Sequence, residues 1–159
     1  MIAELMTALA SQITGMTITM SMTSPSGAVT APAVYIGALP PKDSVANQQD
    51  FPCVIVRPVS GTLSRTEIVC DVHFICGAYI ATDSAADGVS AVHQLADVCL
   101  GVMASPGPIG DKWVLDRQNM SWDDGSSQQA SVPEMGGQPH PFYFVTIKAR
   151  YRRSYLDHI

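Results

Sequence analysis

Apolar residues recur along this chain with two different periods, and the switches between them mark out the elements. Ile2, Leu5, Met6, Leu9 and Ile13 fall at helical spacing, with Glu4 in the first turn where the helix dipole favours an acid. This predicts a short amphipathic helix whose pattern stops by Gly15. The following TITMSMTSPSGAVTAPAVYIG breaks into strand-like pieces. In it Met16, Ile18, Met20 and Met22 alternate with Thr and Ser as one covered sheet face would, and Ser24 to Gly27 read as a turn. FPCVIVRPV predicts a short strand held between Pro52 and Pro58, neither of which donates to a ladder, so a place at a sheet edge suits it. EIVCDVHFIC, residues 67 to 76, is the clearest strand. Ile68, Cys70, Val72, Phe74 and Cys76 share one face, and Glu67, Asp71 and His73 lie on the other.

After Ala81 the period returns to that of a helix. Thr82 or Asp83 is placed to cap it, Val89, Val92, Leu95, Ala96, Cys99 and Met103 form its apolar stripe, and SPGPIG ends it. Such a helix is expected to cover the sheet. KWVLDRQNMSWDD then predicts one strand or two short ones, with Trp113, Leu115 and Trp122 supplying apolar bulk. Residues 123 to 139 carry few packing side chains and read as a long mobile loop. In the closing PFYFVTIKARY, Tyr143, Val145, Ile147, Ala149 and Tyr151 alternate with Phe142, Phe144, Thr146, Lys148 and Arg150. That strand is expected to begin between two layers and finish at a surface. No internal repeat is present.

At 159 residues the chain suffices for one core and one domain, 1 to 159. Hydrophobic residues make up 47% and charged residues only 14%, so much of its surface must be neutral, which fits contacts with other subunits, a membrane neighbour or a merely polar surface. The net charge of -5 argues against DNA wrapping as the main task. No run approaches the apolar length of a membrane helix, and the first dozen residues lack the basic start of a signal peptide, which makes assembly in the cytoplasm the expectation. Cys53, Cys70, Cys76 and Cys99 all lie in apolar segments and are expected to be reduced core thiols.

Motifs for chemistry are weak. CDVHFIC places Cys70, His73 and Cys76 three apart, but in a strand His73 points away from both cysteines, which defeats tetrahedral metal binding. His93 and Cys99 lie on different faces of a helix. Asp83 and Asp87 form an i,i+4 pair at a helix start that dipole and solvent already explain. No phosphate loop or dinucleotide motif occurs. The expectation is therefore no enzyme, with no catalytic residue, metal or cofactor assigned. One charge feature remains: Lys148, Arg150 and Arg152 on one strand face, followed by Arg153. A solvated edge, a contact with an acidic neighbouring subunit and a contact with DNA all fit it.

The order of parts resembles that of the tail terminator, or tail completion, proteins of tailed bacteriophages. The resemblance rests on the N-terminal helix, FPCVIVRP, the alternating strand, DSAADGVSAVHQLADVCLGVM, a Trp-bearing strand and the closing PHPFYFVTIKARYRR, and spans most of residues 1 to 153. It implies an α+β single domain, its mainly antiparallel or mixed sheet covered by two helices. It further implies a structural virion protein, assembled in the host cytoplasm, that closes into a homo-oligomeric ring, a hexamer, on the tail tube protein. That ring caps tube growth and joins the tail to a connector or neck protein of the head, and genome DNA passes through it without specific binding. Such a role asks for ring closure and two complementary faces rather than catalysis. Loops near 24–32, 40–50 and 123–138 are expected to be mobile and to order on docking. For the ring contact the expected residues are Lys148, Arg150, Arg152 and Arg153, facing Asp71, Asp83 or Asp87 of a neighbour. The rival readings are another phage tube or neck joining protein, a small enzyme or ligand-binding domain, and a nucleic-acid binder using the basic end.

Overall fold

A computed structural model describes residues 1–39, 50–110, 112–124 and 141–154. Among them the order of elements is α1 (Ile2–Thr17), β1 (Met22–Thr23), β2 (Val29–Thr30), β3 (Ala33–Ile36), β4 (Cys53–Leu63), β5 (Glu67–Tyr79), α2 (Ala85–Ala104), β6 (Val114–Leu115), β7 (Ser121–Asp123) and β8 (Phe142–Ser154). The fold is α+β, a mixed sheet with two helices in a single domain. β5 and β8 are its spine: they run antiparallel and stay in register from Glu67 opposite Ser154 to Tyr79 opposite Phe142. The sheet order is β3-β4-β5-β8-β6, β7 also pairs β8, and only β3 with β4 is parallel. β1 and β2 form a separate two-stranded hairpin. Its turn spans Ser24 to Gly27, with the Ser24 amide donating to the Ala28 carbonyl and the Gly27 amide to that of Ser24, both at 2.9 Å.

Both helices cover the same face of the sheet, and the alternation of β5 and β8 is the reason. Ile68, Cys70, Val72, Phe74, Cys76 and Ala78 of β5 and Tyr143, Val145, Ile147, Ala149 and Tyr151 of β8 all point toward the helices and are buried. α1 packs on β3 and β4 with Leu5, Leu9 and Ile13, and α2 on β5 and β8 with Val92, Leu95 and Cys99. Each such leucine, isoleucine or valine contributes about 1.5–3 kcal/mol when fully buried. Close approach needs a gap: a Cβ on Gly88 of α2 would overlap the Tyr143 ring. All four cysteines are buried free thiols. Cys76 and Cys99 meet across the β5–α2 contact at 3.8 Å, and this mutual contact, with burial, pushes the Cys76 thiol up.

Four sequence expectations are corrected. α1 does not stop at Gly15 but continues to Thr17, which is 1% exposed and anchors the last turn in the core. Met16 and Ile18 therefore do not share a covered sheet face with Met20 and Met22; both are exposed. The cap of α2 is Ser84, whose hydroxyl accepts the Asp87 amide at 3.3 Å, while Thr82 Oγ1 accepts the Ser84 amide at 3.4 Å and so supports the cap from behind. β4 does not end at Pro58. It runs on to Leu63, because β3 pairs it only from Cys53 to Val56 and a proline beyond that point interrupts no ladder on that side. The Trp-bearing stretch resolves into two short strands, with Trp113 buried outside them in a single bridge to Ile109 and Trp122 59% exposed. Of the loops expected to be mobile, 24–32 contains β2 and its turn, and the third does not begin at Asp123, which ends β7 opposite Thr146, whereas 40–49 and 125–138 lie outside the described residues.

Candidate functional site

The sheet face away from the helices carries the charge. Because β5 and β8 pair antiparallel, their polar positions line up in cross-strand rows. Arg57 of β4 stands opposite His73 of β5, His73 opposite Lys148 of β8, and Lys148 opposite Ser121 of β7. In the next row Ser60 stands opposite Asp71 and Asp71 opposite Arg150. Neighbouring side chains in such rows lie within reach of one another.

The cations of β8 are paired within the chain. Arg150 Nε donates to Asp71 Oδ1 at 2.7 Å and its Nη2 to Oδ2 at 3.5 Å, and Ser60 Oγ donates to the same carboxylate at 3.0 Å. Arg150 chiefly, and Ser60 after it, hold the Asp71 carboxyl below the usual range. Lys148 Nζ lies 2.9 Å from Asp123 Oδ2. Arg152 bridges two acids, Glu67 at 2.8 Å and Asp116 at 3.1 Å. Asp116 also takes the Gln118 amide at 3.1 Å and the Asn119 side chain at 2.7 Å, and its carboxyl is lowered, first by the Gln118 amide. Arg153 points the other way. It is 6% exposed on the helix side, and its Nη1 lies 3.3 Å from Glu4 Oε2, tying the end of β8 to the start of α1.

Between these groups lies an open groove of about 410 Å³, with Ser60, Asp71, His73, Asn119, Lys148 and Arg150 in its walls. Burial, and then the positive charge of Lys148, push the His73 imidazole below its ordinary value and favour the neutral ring. The groove thus offers fixed donors and acceptors and one neutral imidazole. The Ser60 hydroxyl in it donates to a carboxylate already held by Arg150. Cys70 and Cys76 stand on the helix face, opposite to His73, and among the described residues no group of three His, Cys, Asp or Glu side chains is placed to hold a metal ion.

Of the seven interface residues expected from the sequence, Asp71, Lys148, Arg150 and Arg152 come together on the open face. Arg153 is on the far side, and Asp83 and Asp87 are exposed at the start of α2. The partner expected from a neighbouring subunit, Asp71, is Arg150's own cross-strand neighbour. Sequence reasoning missed Glu67, Asp116 and Asp123 as partners of the basic strand. The clue was available in part, since Glu67, Asp71 and His73 share one strand face as Lys148, Arg150 and Arg152 share another, and pairing the apolar faces must also pair the polar ones.

A second feature was also missed. From Arg57 to Thr66 every residue is exposed, so the second half of β4 and the β4–β5 turn form a free edge, the arm, lying beside a β5 that stays buried and paired with β8. Val59 at 46% and Leu63 at 74% exposure are its apolar side chains. On the opposite flank of the sheet Trp122 packs edge-on against His93 of α2, ring centroids 5.3 Å apart, and otherwise faces outward.

Comparison with protein-family models and with curated proteins finds no match to this chain.

Proposed function

We propose that this chain is a structural virion subunit of the tail terminator type, which closes into a ring on the end of a phage tail tube and joins tail to head. The observation that carries the proposal is the layout of its parts: an N-terminal helix, a proline-bounded strand, two long alternating strands and a second helix, in the order in which the terminator family uses them. The α+β fold is compatible with it. Further support comes from the surface. Large apolar residues are exposed at separate places, Leu63 on the arm, Val89 on α2 and Trp122 on β7, which suits a subunit that meets other chains on several sides. The basic strand, neutralised by its own acids, offers little net positive charge to DNA, in keeping with a genome that passes through the ring without being held.

The experiment is tube assembly. Polymerising tail-tube protein is mixed with this chain and followed by negative-stain microscopy. Tubes that stop growing with a ring at one end are expected, whereas long filaments of this chain alone would reassign it to the tube. A second reading rests on the groove around Asp71, His73 and Arg150, which fits a small charged ligand in a ligand-binding domain. On that reading a bound carboxylate or phosphate compound displaces Asp71 from Arg150 and raises the melting temperature.

A further inference from the structure

Pairing inside the chain removes most charged groups from consideration and leaves an asymmetric remainder. Among the described residues Arg57, Arg65 and Arg117 make no ion pair, and neither do the acids Asp83, Asp87 and Asp97. The acids all lie on α2 or directly before it. Two of the cations, Arg57 and Arg65, belong to the β4–β5 arm. Exposed apolar side chains accompany both sets of charges, Val59 and Leu63 on the arm, Val89 on α2 and Trp122 beside it, while others lie on α1, β2, β3 and β6. Val89 and His93 are i,i+4 neighbours on one helical face, and His93 is the residue on which Trp122 rests, so Val89 and Trp122 flank the same imidazole.

We infer that the arm of one copy docks on the α2–β7 flank of the next, with Leu63 against Trp122 and Val89 and with Arg65 facing Asp83 and Asp87. This rests on the ring reading above and names the two surfaces that would make it. The occupant is a second copy because both halves of the contact, opposite in charge and alike in apolar character, are carried by one chain. The two patches are distinct. The arm tip precedes the first residue of β5 and the α2 start follows its last, and thirteen strand residues span about 40 Å at ~3.3 Å each. Each subunit therefore presents its arm to one neighbour and its helix flank to another. Such a head-to-tail contact closes into a ring where the rotation allows.

Docking through side chains, rather than by adding a strand, follows from the arm's own construction. Pro58 and the register shift between Pro58 and Ser60 spoil its edge as a template for strand pairing. At Gly61 a Cβ would run into the Val69 carbonyl oxygen, so β4 lies pressed against β5 there.

The test is a complementation measured by sedimentation velocity on the full chain, with circular dichroism to verify folding. Leu63→Glu disables the arm and Trp122→Glu the flank; both positions are exposed, so both variants are expected to fold. Each alone is expected to lose self-association by about tenfold or more, as loss of a central apolar anchor does. Mixed one to one they retain one intact arm and one intact flank between them, and should give a dimer and nothing larger. A triple variant, Arg65→Glu with Asp83→Lys and Asp87→Lys, should recover the assembly that Arg65→Glu loses. If either single variant assembles like the parent chain, or the mixture yields no dimer, the assignment of these surfaces is overturned. A parent chain that stays monomeric at high concentration and on tube ends overturns it too. The ring-capping function stands or falls separately: rings that form through this contact yet leave tubes growing refute the function alone, and tubes capped equally well by Leu63→Glu refute the contact alone.

Discussion

β8 shows two surfaces of the same strand meeting opposite environments. Its odd residues from Tyr143 to Ala149 are under 4% exposed against the helices, while its even residues Lys148, Arg150 and Arg152 lie between a third and a half exposed among acids. The closed face is held by area removed from water and by shape; the open face by paired charges in partial contact with solvent. Those two kinds of stabilisation differ in size and in their response to pH. A basic run at the end of a chain is thus not evidence of a free basic patch, since every second residue of a strand can carry a cation whose partner is one strand away.

The largest effect is expected on the closed face. Leu95→Ala should cost about 2–5 kcal/mol in urea unfolding, the range for a buried leucine whose surroundings collapse only partly. Gly88→Ala should cost about 1–3 kcal/mol, because its methyl must displace the Tyr143 ring and with it the α2–β8 contact. A Gly88→Ala protein as stable as the parent would show that α2 sits less tightly than the structure has it.

On the open face the effects are smaller and depend on pH. Asp71 is held below the ordinary carboxylate value, so its contribution is present above about pH 3.9 and is lost as pH falls through the lowered native value. Asp71→Asn should therefore destabilise near neutrality, by less than Leu95→Ala, and its difference from the parent should shrink in acid. His73 behaves in the same sense. Its native value is also lowered, so the parent loses stability as pH drops from about 6.5 toward that value, and a His73→Gln variant should lack this step. Melting curves from pH 7.5 to 2 check both; an identical acid profile for parent and His73→Gln would contradict the partial burial of the imidazole beside Lys148.

The smallest effect is expected at Tyr151, where the closed face carries a polar atom. Its hydroxyl is buried without a hydrogen-bond partner among the described residues, and burial pushes its ionisation far up. Removing an unpartnered buried hydroxyl releases its desolvation cost, so Tyr151→Phe should be neutral or slightly stabilising. A loss above about 1 kcal/mol would instead reveal a bound water bridging the hydroxyl, since such a water makes the hydrogen bonds that the variant gives up.

Periodicity alone located the long elements well because burial on one face imposes it locally. Ile68 to Cys76, Val92 to Met103 and Tyr143 to Tyr151 each announce their covered side, and the helix over the sheet follows from those stripes. Errors came where a local signal met a tertiary one. Gly15 reads as a stop, yet burial of Thr17 carries α1 past it; Pro58 reads as a strand end, yet an unpaired edge accepts it.

The charges divide in the same way. Sequence determined that Lys148, Arg150 and Arg152 share a face and that Asp71 lies on the polar side of its own strand, since both facts depend only on a period of two. Which acid meets which cation was decided by the register between strands far apart in the chain: Arg150 and Asp71 are 79 residues apart, Arg152 and Glu67 are 85, and Arg153 and Glu4 are 149. Strand pairing and helix docking alone bring such groups within hydrogen-bond distance, and the same pairing left the arm and the α2 flank with their charges unspent.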